Sequence, residues 1–203
     1  MPDYKLVYFN ARGRAELIRW IFTYADIPFT DERIEMSDWP GRKSSIPGGK
    51  LPVLMVDGEA LPQSLSIARY AARIGGLAPE DPFQSAHCDA LADTLSDMMT
   101  EVYKVMFAKG DKEEQAKKFK EEVYPNHVCP LLARLESRLK TRDYFITDKL
   151  TWSDLMICLV FSGMVKKNPE VLKPYPVVEK HVNKICVIPK IKAWNDAQPE
   201  TPF

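Results

Sequence analysis

Pro52 is the residue that most narrows what this chain can build. It stands between the loop Gly48-Gly49-Lys50-Leu51 and the apolar run Val53-Leu54-Met55-Val56. That run is β-branched at both ends and reads as a buried strand, and Asp57-Gly58 behind it is a strong hairpin signal. A proline cannot donate to a sheet ladder, so it is tolerated at a strand's first residue or where something other than the next strand takes the hydrogen bonds. This makes Leu51–Pro52 a candidate cis bond, in which the Leu51 backbone turns outward and offers its N–H and C=O to an extended peptide laid alongside. Leu61-Pro62 then leads into Gln63-Ser64, where a helix begins with Leu65, Ile67, Ala68, Ala71 and Ala72 on its apolar face. Free N–H groups and the positive end of the helix dipole converge there, an arrangement that holds a carboxylate.

The 203 residues suffice for one large or two small cores, because a chain of this size buries about 70% of its unfolded surface. The 28 basic residues are matched by 28 acidic ones, so no basic field draws nucleic acid. The opening residues lack the regions of a signal peptide and no apolar run reaches bilayer-spanning length, which predicts a cytoplasmic protein without a membrane partner. Cys88, Cys129, Cys158 and Cys186 are widely spaced with no C-x-x-C pair, the pattern of reduced thiols rather than of a disulfide frame, a zinc site or a redox dithiol.

Taken in order, Tyr4 to Phe9 reads as a central strand, Arg14 to Ala25 as a helix stopped near Pro28, and Phe29 to Ile34 as a second strand parallel to the first. Met36 to Gly49 reads as an irregular binding loop, and Ser64 to Arg73 as the helix that closes a small α/β domain. The Gly- and Pro-rich stretch after Gly75 marks a boundary, giving a domain of residues 1–75, a linker of 76–82 and an all-helical domain of 83–203. In that second domain helices are expected over Phe83 to Met106, Asp111 to Tyr124 and Thr151 to Val165. Pro125 and Pro130 should interrupt or kink the path before Leu131, and Pro176 and Pro189 should each begin a further helix. Thr151 and Asp154 form a capping box, with Leu150 stapled onto Leu155.

Several blocks carry a family likeness. They are Tyr4-Lys5-Leu6-Val7-Tyr8-Phe9 with Arg12-Gly13-Arg14-Ala15-Glu16-Leu17-Ile18-Arg19, then Asp38-Trp39-Pro40, Gly48-Gly49-Lys50-Leu51-Pro52-Val53-Leu54, Gln63-Ser64-Leu65-Ser66-Ile67-Ala68-Arg69-Tyr70 and Leu150-Thr151-Trp152-Ser153-Asp154-Leu155. In this order and spacing the chain resembles the sigma class of cytosolic glutathione transferases, and within it the prostaglandin D synthase branch. The resemblance implies a thioredoxin-like N-terminal domain, an all-α C-terminal domain, a homodimer, and glutathione as co-substrate for hydrophobic electrophiles.

It also implies roles. Tyr8 would donate its O–H to the glutathione thiolate, and a phenol suits this because it stays protonated at neutral pH. Arg14 would keep the field near Tyr8 positive. Trp39, Lys43 and Lys50 would engage the glycine end of glutathione, Leu51 at Pro52 its cysteinyl backbone, and Gln63 with Ser64 its γ-glutamyl carboxylate. Asp97 would reach the γ-glutamyl amine held by the other subunit. Phe9, Gly13, Met99, Tyr103, Met156, Leu159 and Phe203 would line the electrophile site, with Val160 beside them. Taken singly, these residues have plainer readings: a packing tyrosine, a surface arginine, solvated lysines, a core tryptophan and a serine cap. Arg12 and Arg19 are read as helix-surface residues.

Asp89, Asp93 and Asp97 form one acidic stripe four residues apart, and like charges so placed repel. In the prostaglandin D synthase branch an acidic cluster here holds a divalent cation, but Ser96 stands where that branch has a further aspartate, so no metal is assigned and Asp93 with Asp97 is the remaining candidate pair. Lys104 stands where the branch has a pocket tryptophan, and Ala11 begins the glycine turn in place of a larger apolar residue. The function expected is therefore glutathione conjugation. Glutathione-dependent prostaglandin isomerisation is the enzymatic alternative, and an S-crystallin-like structural protein or a non-catalytic ligand carrier is the alternative of another kind.

Overall fold

A strand that is apolar on both faces must be covered on both, and β1 (Tyr4–Phe9) occupies such a place. The protein is described by a computed structural model over residues 1–199 and 201. In it β1 pairs in parallel with β2 (Thr30–Ile34) and antiparallel with β3 (Val53–Val56), which pairs in turn with β4 (Glu59–Pro62). The sheet order is β2-β1-β3-β4.

The turn between β3 and β4 follows from its residues. Asp57 and Gly58 both have positive φ, 50° and 87°, the primed-turn geometry whose twist matches the flanking strands. Between β1 and β2 the chain passes through a 3₁₀ turn, Gly13–Ala15, and α1 (Glu16–Tyr24). That helix ends where Asp26 adopts φ 54° and the Ile27 N–H bonds back to the Phe22 carbonyl at 3.0 Å, a left-handed C-terminal cap.

One sheet face packs on α1 and on α3 (Ser64–Ile74), with Leu6, Ile18, Phe22, Leu54 and Ile67 fully buried. The other face holds Val7, Ile34, Ile46 and Val53 under the segment that contains Trp39 and Leu51. This segment has only short helical pieces, α2 (Trp39–Arg42) and the 3₁₀ turns Lys43–Ser45 and Pro47–Gly49, in keeping with its reading as a loop.

Contacts divide the chain into two units, residues 1–79 with 186–203, and residues 80–185. The last segment, which includes α9 (Pro189–Ala197), thus groups with the sheet, whereas the sequence reading put it in the helical domain. Trp194 and Asn195 are the reason, since both bond to the first residues of the α1 region.

The helical unit contains α4 (Pro82–Met106), α5 (Lys112–Lys118), α6 (Cys129–Leu139), α7 (Trp152–Lys167) and α8 (Pro176–Cys186). Pro125 does not break the path between α5 and α6. It sits inside a π-helical stretch, Phe119–Val128, after which the Cys129 N–H reaches the Tyr124 carbonyl. Wide turns bond i to i−5, so the chain stays helical through Pro125. Pro130 is the second residue of α6 and follows directly on that stretch. All four cysteines are free, Cys88 and Cys158 buried and Cys129 and Cys186 half-buried. Burial pushes the Cys88 thiol up, against hydrogen bonds from Ser153 and Thr151. Among the described residues no helix is long and apolar enough to cross a membrane.

The start of α7 is the best-satisfied polar point of this unit. The fully buried Asp154 carboxylate accepts from the Phe145 N–H (2.9 Å), the Thr151 N–H (2.9 Å) and the Thr151 hydroxyl (2.6 Å), and lies 3.5 Å from His181 Nε2. Removing one partner from a buried charged network costs about 3–5 kcal/mol. Asp154→Ala should lower the unfolding free energy by about 3 kcal/mol, measured as a drop in urea midpoint at unchanged slope. A loss below about 1 kcal/mol, the scale of an ordinary cap, would mean that Asp154 does not tie the Phe145 loop to α7.

Candidate active site

The pairing register gathers the candidate residues at one end of the sheet. Val7 faces Val53 and Val53 faces Pro62, so one step further the row reads Tyr8, Pro52, Gln63. Phe9 faces Ile34 on its other side, while Leu51 and Ser64 lie just beyond the ends of β3 and β4. Neighbouring strands are about 4.8 Å apart, so each row is compact enough for one small peptide to lie across it.

Three backbone features meet at this end. The Leu51–Pro52 bond is cis. Gln63, the N-cap of α3, holds φ 75° and ψ 112°, a region that costs a non-glycine residue about 1–3 kcal/mol. Such strain persists only where the surroundings over-determine it, and here the strand end on one side and the 2.9 Å bond from the Ile67 N–H to the Gln63 carbonyl on the other leave no alternative. Ser64 is the first helical residue rather than the cap, and the helix start makes no side-chain cap hydrogen bond, so its leading N–H groups are available to an anion.

Tyr8 shares a face of β1 with Tyr4 and Leu6, yet the two tyrosines differ. Tyr4 is buried beside Phe22, and the hydroxyl of Tyr70 at 3.4 Å, with burial, pushes its phenol up to about 12. Tyr8 lies half-buried at the open end of the strand. Its hydroxyl oxygen accepts from the Arg14 backbone N–H at 3.2 Å, which leaves the phenolic proton for a second partner. Gly13 makes this possible: its φ is +40°, and a Cβ there would fall 2.6 Å from Tyr8 Oη. The side chain of Arg14 is exposed, and its hydrogen bond to Tyr8 is made by its backbone.

A residue read as an ordinary surface arginine lies underneath. Arg19 is fully buried, with its guanidinium carbon 5.9 Å from the Tyr8 ring centroid. It bonds Asp31 at 3.0 Å, Glu16 at 3.1 Å and the Ala11 carbonyl at 2.7 Å. The signal was present in the spacing, since Arg19 falls on the same helical stripe as Ala15, Ile18 and Phe22 and Glu16 precedes it by one turn. An arginine on an apolar stripe with an acid at i−3 is paired and buried rather than solvated.

The remaining candidates are spread more widely. Trp39 packs on the Val7–Ile46 cluster and edge-on against Phe9 at 5.3 Å. Lys43 and Lys50 are exposed, and the Lys43 stem runs beside Gly49. Phe9 and Gly13 belong to the first unit, while Met99, Tyr103, Met156 and Leu159 belong to the second, Met156 buried and the others half-buried. Phe203 lies outside the described residues. Lys104 is exposed and pairs with Glu101 at 2.7 Å. Asp97 is exposed on α4, and among the described residues no group of three or more His, Cys, Asp or Glu is placed to hold a metal ion.

Comparisons with known proteins agree with this geometry. Residues 4–73 match the family described as Glutathione S-transferase, N-terminal domain, and residues 96–198 match Glutathione S-transferase, C-terminal domain. Hematopoietic prostaglandin D synthase of Mus musculus is 39% identical over 202 residues, 99% of each chain. Glutathione S-transferase 1 of Ascaris suum is 36% identical over all of both chains. Among solved structures, a monomeric glutathione S-transferase from Necator americanus superposes with a TM-score of 0.92 at 35% identity, over 99% of this chain and 100% of that one. The chain belongs to the glutathione S-transferase family.

Proposed function

We propose that the protein is a sigma-class glutathione S-transferase that transfers the glutathione thiolate to hydrophobic electrophiles. The observation that carries this reading is the Tyr8 hydroxyl, which accepts from the Arg14 N–H over Gly13 and keeps its proton to donate. A free thiol with pKa near 8.5 is only a few per cent ionised at neutral pH. A donor fixed at the sulfur position stabilises the anion before and during attack, and its fixed geometry avoids reorganisation.

The other assignments follow from charge and place. The N-terminus of α3 at Gln63 and Ser64 takes the γ-glutamyl carboxylate. Leu51, at the cis bond to Pro52, presents backbone to the cysteinyl unit, while Lys43, Lys50 and the Trp39 indole face the glycine carboxylate. Arg14 adds positive charge at the mouth of the site. Phe9 and Gly13 are the apolar candidates of the sheet unit for the electrophile, and Met99, Tyr103, Met156 and Leu159 are those of the helical unit. In a homodimer, the exposed Asp97 extends to the γ-glutamyl amine of glutathione in the second subunit. A cytoplasmic setting goes with the family reading. Glutathione is consumed as co-substrate, and that chemistry needs no metal.

Prostaglandin endoperoxide isomerisation is the second reading, favoured by the 39% identity to the mouse synthase across 99% of the chain. In it the same thiolate opens the endoperoxide and is then released. The exposed Lys104, held by Glu101, puts a charge where that branch has a tryptophan and speaks for the conjugation reading. Product analysis with the endoperoxide separates the two, and a D-type prostaglandin formed at a useful rate would favour the second.

Tyr8→Phe should reduce kcat/KM for a generic aryl halide by about 10²-fold, with the dissociation constant of glutathione little changed. A loss below about fivefold would remove Tyr8 from the chemistry. Gly13→Ala should cost about tenfold or more without touching any polar group, because a displacement of order 1 Å at a reacting centre is enough. Unchanged turnover in that variant would show that the Tyr8 hydroxyl acts from another position.

A further inference from the structure

Tyr8 is held by a turn that has no side-chain cap of its own, Gly13–Ala15. What fixes this turn is the buried Arg19. Its Nη1 donates to the carbonyls of Ala11 (2.7 Å) and Arg12 (3.4 Å), the two residues immediately before Gly13. The same nitrogen reaches Glu16 at 3.1 Å, while Nε reaches Asp31 on β2 at 3.0 Å. Only a guanidinium spans these partners, because an ammonium on a longer stem places its donors around one point.

The last helix completes the assembly. Trp194 Nε1 donates to the second oxygen of Glu16 at 3.1 Å. The Asn195 side-chain oxygen accepts from Arg12 Nη2 and from Trp20 Nε1, both at 3.1 Å. Arg33, which pairs with Asp31 at 2.8 Å, is bonded to Gln198. Three guanidiniums, Arg12, Arg19 and Arg33, thus face two carboxylates directly, Glu16 and Asp31, with the exposed Glu35 joined to Arg33 through Asn10, and the Arg19 guanidinium carbon lies 5.9 Å from the Tyr8 ring centroid.

We propose that Arg19 is a positioning residue for Tyr8 and that the C-terminal helix, through Asn195 and Trp194, is part of the same device. The inference rests on Tyr8 acting as the thiolate donor. Arg19 holds the carbonyls that set Gly13 and Arg14 under the hydroxyl. Asn195 holds the Arg12 side chain on the same loop, so the far end of the chain governs how well the first strand's tyrosine can work.

Two substitutions test it, each made alone and together with Tyr8→Phe. Arg19→Lys keeps the charge and loses the fork. Asn195→Asp keeps the acceptor for Arg12 and Trp20, leaves no hole, and adds a negative charge beside the Arg12 guanidinium. Arg19→Lys should lower kcat/KM about tenfold, with the dissociation constant of glutathione within about threefold of wild type. Asn195→Asp should shift the acid limb of the kcat/KM profile upward by roughly half to one pH unit, so that activity lost at pH 6.5 returns above about pH 8.5. In the Tyr8→Phe background both effects should shrink to under about twofold, the signature of action through one group.

Losses that multiply in that background, or a profile that keeps its midpoint while activity follows the folded fraction, would overturn the proposal and leave the role of Tyr8 intact. Should Arg19→Lys fail to fold, Asn195→Asp decides the matter alone. A Tyr8→Phe substitution that leaves turnover unchanged would instead remove Tyr8 from the chemistry, the reading on which the inference rests, which makes the two failures distinguishable.

Discussion

The 3.2 Å hydrogen bond from the Arg14 N–H to the Tyr8 hydroxyl is the contact on which the site depends. It requires a residue without Cβ at position 13, since a methyl there would sit 2.6 Å from the phenolic oxygen. It also requires the chain to turn sharply between the end of β1 and the start of α1, which the Arg19 guanidinium secures by gripping the two carbonyls upstream. A buried arginine is costly unless its donors are used, and Asp31, Glu16 and the Ala11 carbonyl take Nε and Nη1, while Nη2 is buried without a hydrogen-bond partner. The charge that stabilises the turn also lies near the tyrosine it serves. Stability and chemistry thus draw on the same few residues.

The sheet supplies the rest through its register. The antiparallel alignment sets Val7, Val53 and Pro62 in one row, so their chain neighbours Tyr8, Pro52 and Gln63 leave the sheet at the same end, without any long loop between them. Gln63 bears the cost of this arrangement in its positive φ. Slipping β3 by one residue would bury the wrong face of the hairpin, and the fully buried Val53 and Leu54 prevent it.

Much of this was legible in the sequence because it is local. The apolar run Val53 to Val56 became a strand with those ends, Asp57-Gly58 became the hairpin turn, and Pro176 and Pro189 opened helices. The capping box of Thr151 and Asp154 was equally readable, since its signal spans four residues. What escaped was non-local. Arg19 looked like a surface residue because its partner Asp31 is on another strand. The Trp194 bond leaves no local signal, because its acceptor Glu16 is 178 residues away. Pro125 looked like a break because a π-helical turn, which needs no N–H at that position, is not encoded by any short pattern. For the candidate site, sequence spacing was sufficient to bring Tyr8, Pro52, Gln63 and Ser64 to one end of the sheet, while the buried charges behind them required coordinates.

The account stands or falls on whether the protein ionises glutathione. The most direct measurement is an ultraviolet titration of the thiolate of bound glutathione across pH in the unmodified protein. The account predicts a midpoint clearly below the value near 8.5 of a free thiol, by about one unit or more. A thiol that binds yet titrates as it does in water would contradict it, and would leave a glutathione-binding or structural protein in place of a transferase.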